Sequence, residues 1–262
     1  MTSWTFGGTA LTTFGKVTLI NDYLDIAERR GDNQIIPYKH GRVFVEKFFD
    51  ERTLTFGIAV TAANALALEA LFDTIRAKLS PRTQQVLAMT MEDATVRNVN
   101  ATVNSQMDIE RVTNSFARVT IEFSLADPLW RLSTAIADNT LTINASPKAM
   151  TVTNPGNVEE RDPTITIDGP FSSITIANST TGASVTYTGA IGAAETVTIG
   201  TNSSGEYYAT LSTGSANVIG NVTHSGSAAL MTFAAGANTL AITSAGGNNT
   251  GTVKISFYAP FL

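Results

Sequence analysis

The chain has 262 residues, 43% hydrophobic and 15% charged, a composition that supports a sizeable core and excludes disorder. With no cysteine it has no disulfides, no thiolate catalysis and no ordinary zinc finger. A net charge of −5 and the absence of a long apolar run argue against nucleic-acid binding and a membrane span.

Charge is spread unevenly. Residues 1–130 carry 13 Lys+Arg and 15 Asp+Glu, whereas residues 131–262 carry 4 and 7, and glycine rises from 6 to 14. This shift predicts two domains, 1–130 and 131–262, divided near Trp130. The opening Met1 to Gly8 lacks the basic-then-apolar order of a signal peptide, so synthesis in a cytoplasm is expected.

In chain order, the first apolar run is Val43 to Phe49. Val43, Val45 and Phe49 share one face of a strand, and Phe44 and Phe48 make the other face apolar too. Burial between layers of its own domain is the first reading. Cover by a neighbouring copy is the second, which makes Phe44, Phe48 and Phe49 candidate subunit contacts. Leu54, Phe56, Ile58 and Val60 then alternate as a half-buried strand does. From Asn64 to Leu79, the spacing of Leu68, Leu71, Phe72, Ile75 and Leu79 predicts a helix, ended by Ser80-Pro81. Val99 to Ile109 and Ala117 to Leu125 alternate again and predict two long antiparallel strands.

The second half reads as short strands separated by turns. Ile165/Ile167, Ile174/Ile176, Val185/Tyr187, Val197/Ile199, Ala209/Leu211, Leu240/Ile242 and Val253/Ile255/Phe257 alternate between Gly- and Asn-rich turns. Such spacing predicts a β-sandwich. Pro155-Gly156 suits a type II turn, with glycine taking φ > 0.

Chemistry is hard to place on this pattern. The two histidines, His40 and His224, lie in separate halves, and no nucleophile elbow, P-loop or His-Glu-x-x-His occurs. Asp50-Glu51 reads as a hairpin tip, and Glu159-Glu160-Arg161-Asp162 as charge that keeps a loop wet. No catalytic residue, metal ligand or cofactor is assigned, and an enzyme is not expected.

Particular segments resemble the distal tail proteins of long-tailed bacteriophages. Val119 to Trp130 resembles the strand and Asp-Pro-aromatic closure of that family's first domain, although Leu125-Ala126 stands where a cysteine is common. Tyr23-Leu24-Asp25-Ile26, Arg30-Gly31 and Pro37-Tyr38-Lys39-His40-Gly41 follow the family's order. Asn154-Pro155-Gly156-Asn157, Pro163 to Gly169, Ile176 to Gly182 and Ala235 to Leu240 are similar to its second domain.

The resemblance implies a mainly β protein: a tail-tube-like β-sandwich with one helix and long hairpins, then a galectin-like β-sandwich. It implies a homo-hexameric ring at the distal end of the virion's tail, joining the tail tube protein to tail-tip and receptor-binding proteins. A carbohydrate-binding module for host attachment is the alternative, with Tyr187, Tyr207 and Tyr208 as candidate contacts and cell-surface carbohydrate as partner. A tail tube subunit is a third reading.

Overall fold

Long alternating runs become long strands in the computed structural model, which describes residues 2–20, 26–31, 33–35, 40, 42–43, 47–103, 107–136, 139–202, 204–226, 229–245 and 250–262. The chain is mostly β, with one α-helix among the described residues. It divides into two compact units, Met1–Arg131 with Leu262, and Leu132–Phe261.

The first unit contains β1 (Ser3–Phe6), β2 (Thr9–Ala10), β3 (Lys16–Leu19), β4 (Arg29–Arg30), β5 (Gln34–Ile35), β6 (Arg42–Val43), β7 (Phe48–Phe49) and β8 (Arg52–Thr61). The helix α1 (Ala65–Leu79) follows, then β9 (Gln85–Thr90), β10 (Val96–Val103), β11 (Asp108–Arg111) and β12 (Phe116–Leu125). The main sheet runs β2-β1-β9-β10-β12-β8-β3. At its centre β8 and β12 pair along their whole length, from Phe116 opposite Thr61 to Leu125 opposite Arg52. Leu54, Phe56, Ile58 and Val60 face inward with Val119, Ile121 and Phe123, and all seven are buried. Successive strand residues point to opposite faces, so the alternation in sequence becomes a dry face and a wet one. Phe56 meets Trp4 edge-on at 5.0 Å and Phe123 at 5.5 Å, and Trp4 meets Trp130 at 5.8 Å. Trp130 is thus a buried apolar plug beyond Pro128.

The helix forms where its apolar stripe predicts. Asn64 caps it, its Oδ1 accepting the Ala67 N–H at 2.9 Å, and Leu68, Phe72, Ile75 and Leu79 are buried. The predicted strand Val99 to Ile109 is divided into β10 and β11, which pair with β12 in registers two residues apart. Val103 lies opposite Phe123, and Asp108 opposite Thr120. A one-residue slip would turn every side chain over, but a two-residue step keeps the same face inward.

Of the run 43–49, Val43 lies in β6 and Phe48 and Phe49 form β7, and residues 44–46 lie outside the described residues. β6 pairs with β5, and β7 pairs with β4, giving two separate two-stranded ribbons.

A short strand, β13 (Trp130–Leu132), precedes the second unit. That unit is a sandwich. One sheet is β14 (Asn139–Thr142), β24 (Thr252–Ser256), β16 (Thr164–Asp168), β19 (Thr196–Thr201), β20 (Tyr207–Leu211) and β21 (Ala216–Asn217), in that spatial order. The other is β15 (Lys148–Asn154), β23 (Gly236–Ala245), β17 (Ser173–Asn178), β18 (Ser184–Tyr187) and β22 (Val222–Ser225). Their inner faces share one core, with Ile165, Ile167, Val197 and Ile255 from the first sheet and Val152, Ile176, Val185 and Ile242 from the second. Each alternating pair in the sequence lies on one of these strands.

The core also takes in Leu230, Met231 and Phe233, which belong to no named strand. A buried irregular segment must find partners for its peptide groups. Here three asparagine side chains supply them. Asn154 donates to Phe233 O, Asn178 donates to Thr232 O at 2.8 Å, and Asn238 donates to Ala234 O at 2.8 Å while accepting the Ala234 N–H. All three asparagines are buried, at an end of β15, β17 or β23, which are neighbours in one sheet.

Beside Asn154, the glycine of Pro155-Gly156 does not take the positive φ that a type II turn requires. Crowding explains it instead. A Cβ at Gly156 would lie 2.1 Å from the backbone oxygen of Pro260, and its N–H is held by Asn154 Oδ1 at 2.9 Å. Gly156→Ala is therefore expected to force backbone movement and lower the thermal midpoint, as read by circular dichroism; an unchanged midpoint would refute the crowding.

Candidate assembly surface

The segment 26–49 contributes the two ribbons. Val43 and Phe48 are 50% and 45% exposed, so burial within their own domain does not hold for them. Phe49 is half-buried, with the Arg29 guanidinium 5.2 Å from its ring centroid; Phe44 lies outside the described residues. Arg29, Arg30, Arg42 and Lys47 are all exposed around these apolar groups. The Arg29-Arg30 pair, which reads as a solvated loop in sequence, is the strand that pairs with Phe48 and Phe49. An arginine over an aromatic face, with more bare apolar surface alongside, suits protein contact better than solvation alone.

A second feature lies on the outer face of the main sheet. Thr18, Gly57 and Thr120 align across β3, β8 and β12, as do Lys16, Ala59 and Arg118. Gly57 and Ala59 leave a depression of about 230 Å³ between Thr18, Thr120 and Arg118. Ile20 forms its apolar wall and is 62% exposed. Asp108 stands opposite Thr120, and Glu122 is two residues along β12, while Arg118 reaches Glu110 at 3.7 Å.

The three tyrosines differ in exposure. Tyr187 is 1% exposed and belongs to the sandwich core, so it has no ring face to offer. Its alternation with Val185 placed it there. Tyr207 is 39% exposed and meets His224 edge-on at 6.0 Å. β20 and β22 lie in different sheets, so this pair closes one side of the sandwich. Tyr208 lies opposite Gly200 and covers the space where that glycine lacks a side chain, a common way to stabilise a strand glycine.

Carboxylates are tied into turns. Asp50-Glu51 joins β7 to β8, which do not pair with each other, so it is no hairpin tip. Glu160 is buried, contrary to the wet loop expected. Its backbone bridges to Phe233 in both directions, and its Oε1 accepts the Asp162 N–H at 2.6 Å. The Thr95 backbone N–H holds the Asp93 carboxyl below its ordinary range, and the Gly192 N–H does the same for Glu195. Both cap turns, Asp93 exposed and Glu195 half-buried. No three His, Asp or Glu side chains gather as metal ligands among the described residues.

The geometry of the first unit has a counterpart in known proteins. Residues 11–125 match the family model of the phage tail protein RIFT-related domain. The first unit matches a phage tail domain. Over 100% of both chains, the whole protein is also similar to the Dit protein of phage SPP1, with a TM-score of 0.69 at 14% identity. That crystal structure was presented as a paradigm of the hub adsorption apparatus in phages infecting Gram-positive bacteria. At this identity the likeness establishes a shared fold. Two structures of the phage p2 baseplate in its activated conformation, with Sr and with Ca, give TM-scores of 0.44 and 0.45 at 10% identity over 100% of both chains, too low to add weight. No curated protein matches the sequence.

Phe44, Phe48 and Phe49 all fall within the stretch matched to the tail domain, as does the Gly57 depression. Tyr187, Tyr207 and Tyr208 fall outside it. Val43, Phe48 and the Gly57 depression therefore lie within the tail-domain match.

Proposed function

We propose that this protein is a structural hub at the distal end of a long-tailed phage's tail. Six copies close into a ring that joins the tail tube to the tip apparatus, through the tail tube protein on one side and receptor-binding proteins on the other. The observation that carries this reading is the end-to-end fold likeness to the SPP1 Dit protein, together with the tail-domain match over 11–125. The exposed Val43 and Phe48, flanked by arginines, support cover by a neighbouring copy, the second of the two readings of the apolar run. The galectin-like second domain then acts as a scaffold, since the candidate sugar contacts serve the sandwich itself.

The expected result is a particle of six times the chain mass by light scattering, with discrete rings in negative-stain images. Long tubes would mark a tail tube subunit instead. A monomer at every concentration, with or without tail partners, would sink the proposal.

A further inference from the structure

A closed ring is built from head-to-tail contacts, so each copy must carry two different surfaces that fit each other. On the ring reading above, we infer that the depression over Gly57 and Ala59 receives Phe48 of the neighbouring copy.

Gly57 is the first reason. It interrupts a strand whose inward residues are all large, and glycine there costs about 0.5–1 kcal/mol relative to alanine. Among the described residues nothing requires it. Its backbone is not in the left-handed region, and a Cβ would lie 3.6 Å from Ile20 Cδ1, an ordinary contact. A glycine inside a strand often marks the close approach of another group. Because the missing side chain points outward, the approaching group comes from outside this unit's core.

Size and charge identify that group. An apolar cavity of about 150 Å³ already admits a benzene ring, and the depression has about 230 Å³, with exposed Ile20 beside it. Among the described residues of 26–49, Phe48 is the exposed phenylalanine. Residues 26–49 carry five Lys+Arg against three Asp+Glu, although the chain as a whole is at −5. Asp108 and Glu122 stand at one end of the depression, where Arg30 and Lys47 beside an inserted Phe48 would meet them. Arg118 is already matched by Glu110, and Lys16 lies beyond Ala59 at the far end. Opposed charges of this kind fix register and raise the rate of association.

The absence of native cysteine makes the contact testable by cross-linking. Phe48→Cys and Ala59→Cys variants, coexpressed and oxidised, are expected to give a disulfide-linked pair containing one of each. Gly57→Leu, which fills the depression, is expected to reduce the ring fraction more than tenfold while the circular dichroism spectrum is unchanged. If the wild type forms rings but the coexpressed variants give only Phe48→Cys self-pairs, or no cross-link while Gly57→Leu rings stay intact, this contact is overturned and the ring stands. A wild-type monomer under all conditions would overturn both.

Discussion

Asn238→Ala is expected to destabilise the second unit by about 1–3 kcal/mol, the cost of loosening one buried polar network. The side chain makes four hydrogen bonds. Its Oδ1 accepts from the Ala234 N–H at 3.0 Å and from Asn178 Nδ2 at 3.1 Å, and its Nδ2 donates to Ala234 O and Gly236 O. Alanine removes all four bonds: Asn178 loses a buried partner, while Ala234 is half-buried and Gly236 exposed, so water can reach those groups. The loss also loosens the segment that carries Leu230, Met231 and Phe233 into the core. Both tryptophans lie in the first unit, so tryptophan fluorescence reports on that unit and far-ultraviolet dichroism on the whole. The dichroism transition should move to lower denaturant. Asn238→Asp should fare no better, because it keeps the acceptors, loses both donors and buries a charge. A dichroism midpoint unchanged in Asn238→Ala would show that the network contributes nothing.

That network explains where reading the sequence stopped. Strands were legible because alternation is local: Leu54, Phe56, Ile58 and Val60 need no partner to declare their common face, and the helix stripe from Leu68 to Leu79 is equally self-contained. Asn154, Asn178 and Asn238 each look like turn residues, and they meet only because their strands end side by side. Gly156 likewise depends on Pro260, more than a hundred residues away in sequence, so local turn rules gave the wrong reason for it. Glu160 was misread because charge usually stays wet, and here a backbone bridge to Phe233 holds it inside.

The candidate site divides in the same way. The double apolar face of 43–49 was visible in the sequence, and so were the phenylalanines at risk of exposure. Whether their own domain would cover them was not, since that depends on which strands flank them in space. The depression was invisible. A glycine between Phe56 and Ile58 means little until the pairing of β3, β8 and β12 turns it outward opposite Thr18 and Thr120.

Phe56→Ala should have the largest effect on the first unit, with a loss of about 3–5 kcal/mol for removing a buried phenylalanine. Phe56 is fully buried on the central strand, edge-on to both Trp4 and Phe123. Each such aromatic pair adds about 0.5–1.5 kcal/mol beyond the area it buries, which places this site toward the upper part of the range. The cavity would open beneath the Gly57 face, between β1 and the β8–β12 pair, where neighbouring rings are held by their own strands and cannot collapse far. Trp4 makes the change directly observable, because its fluorescence responds to the loss of a ring 5.0 Å away. The tryptophan transition should therefore shift to lower denaturant, and Phe56→Leu, which keeps most of the volume, should shift it less. If both variants unfolded with the wild-type midpoint, the aromatic cluster would not be the core of the first unit, and the outward geometry of Gly57 that rests on it would fall as well.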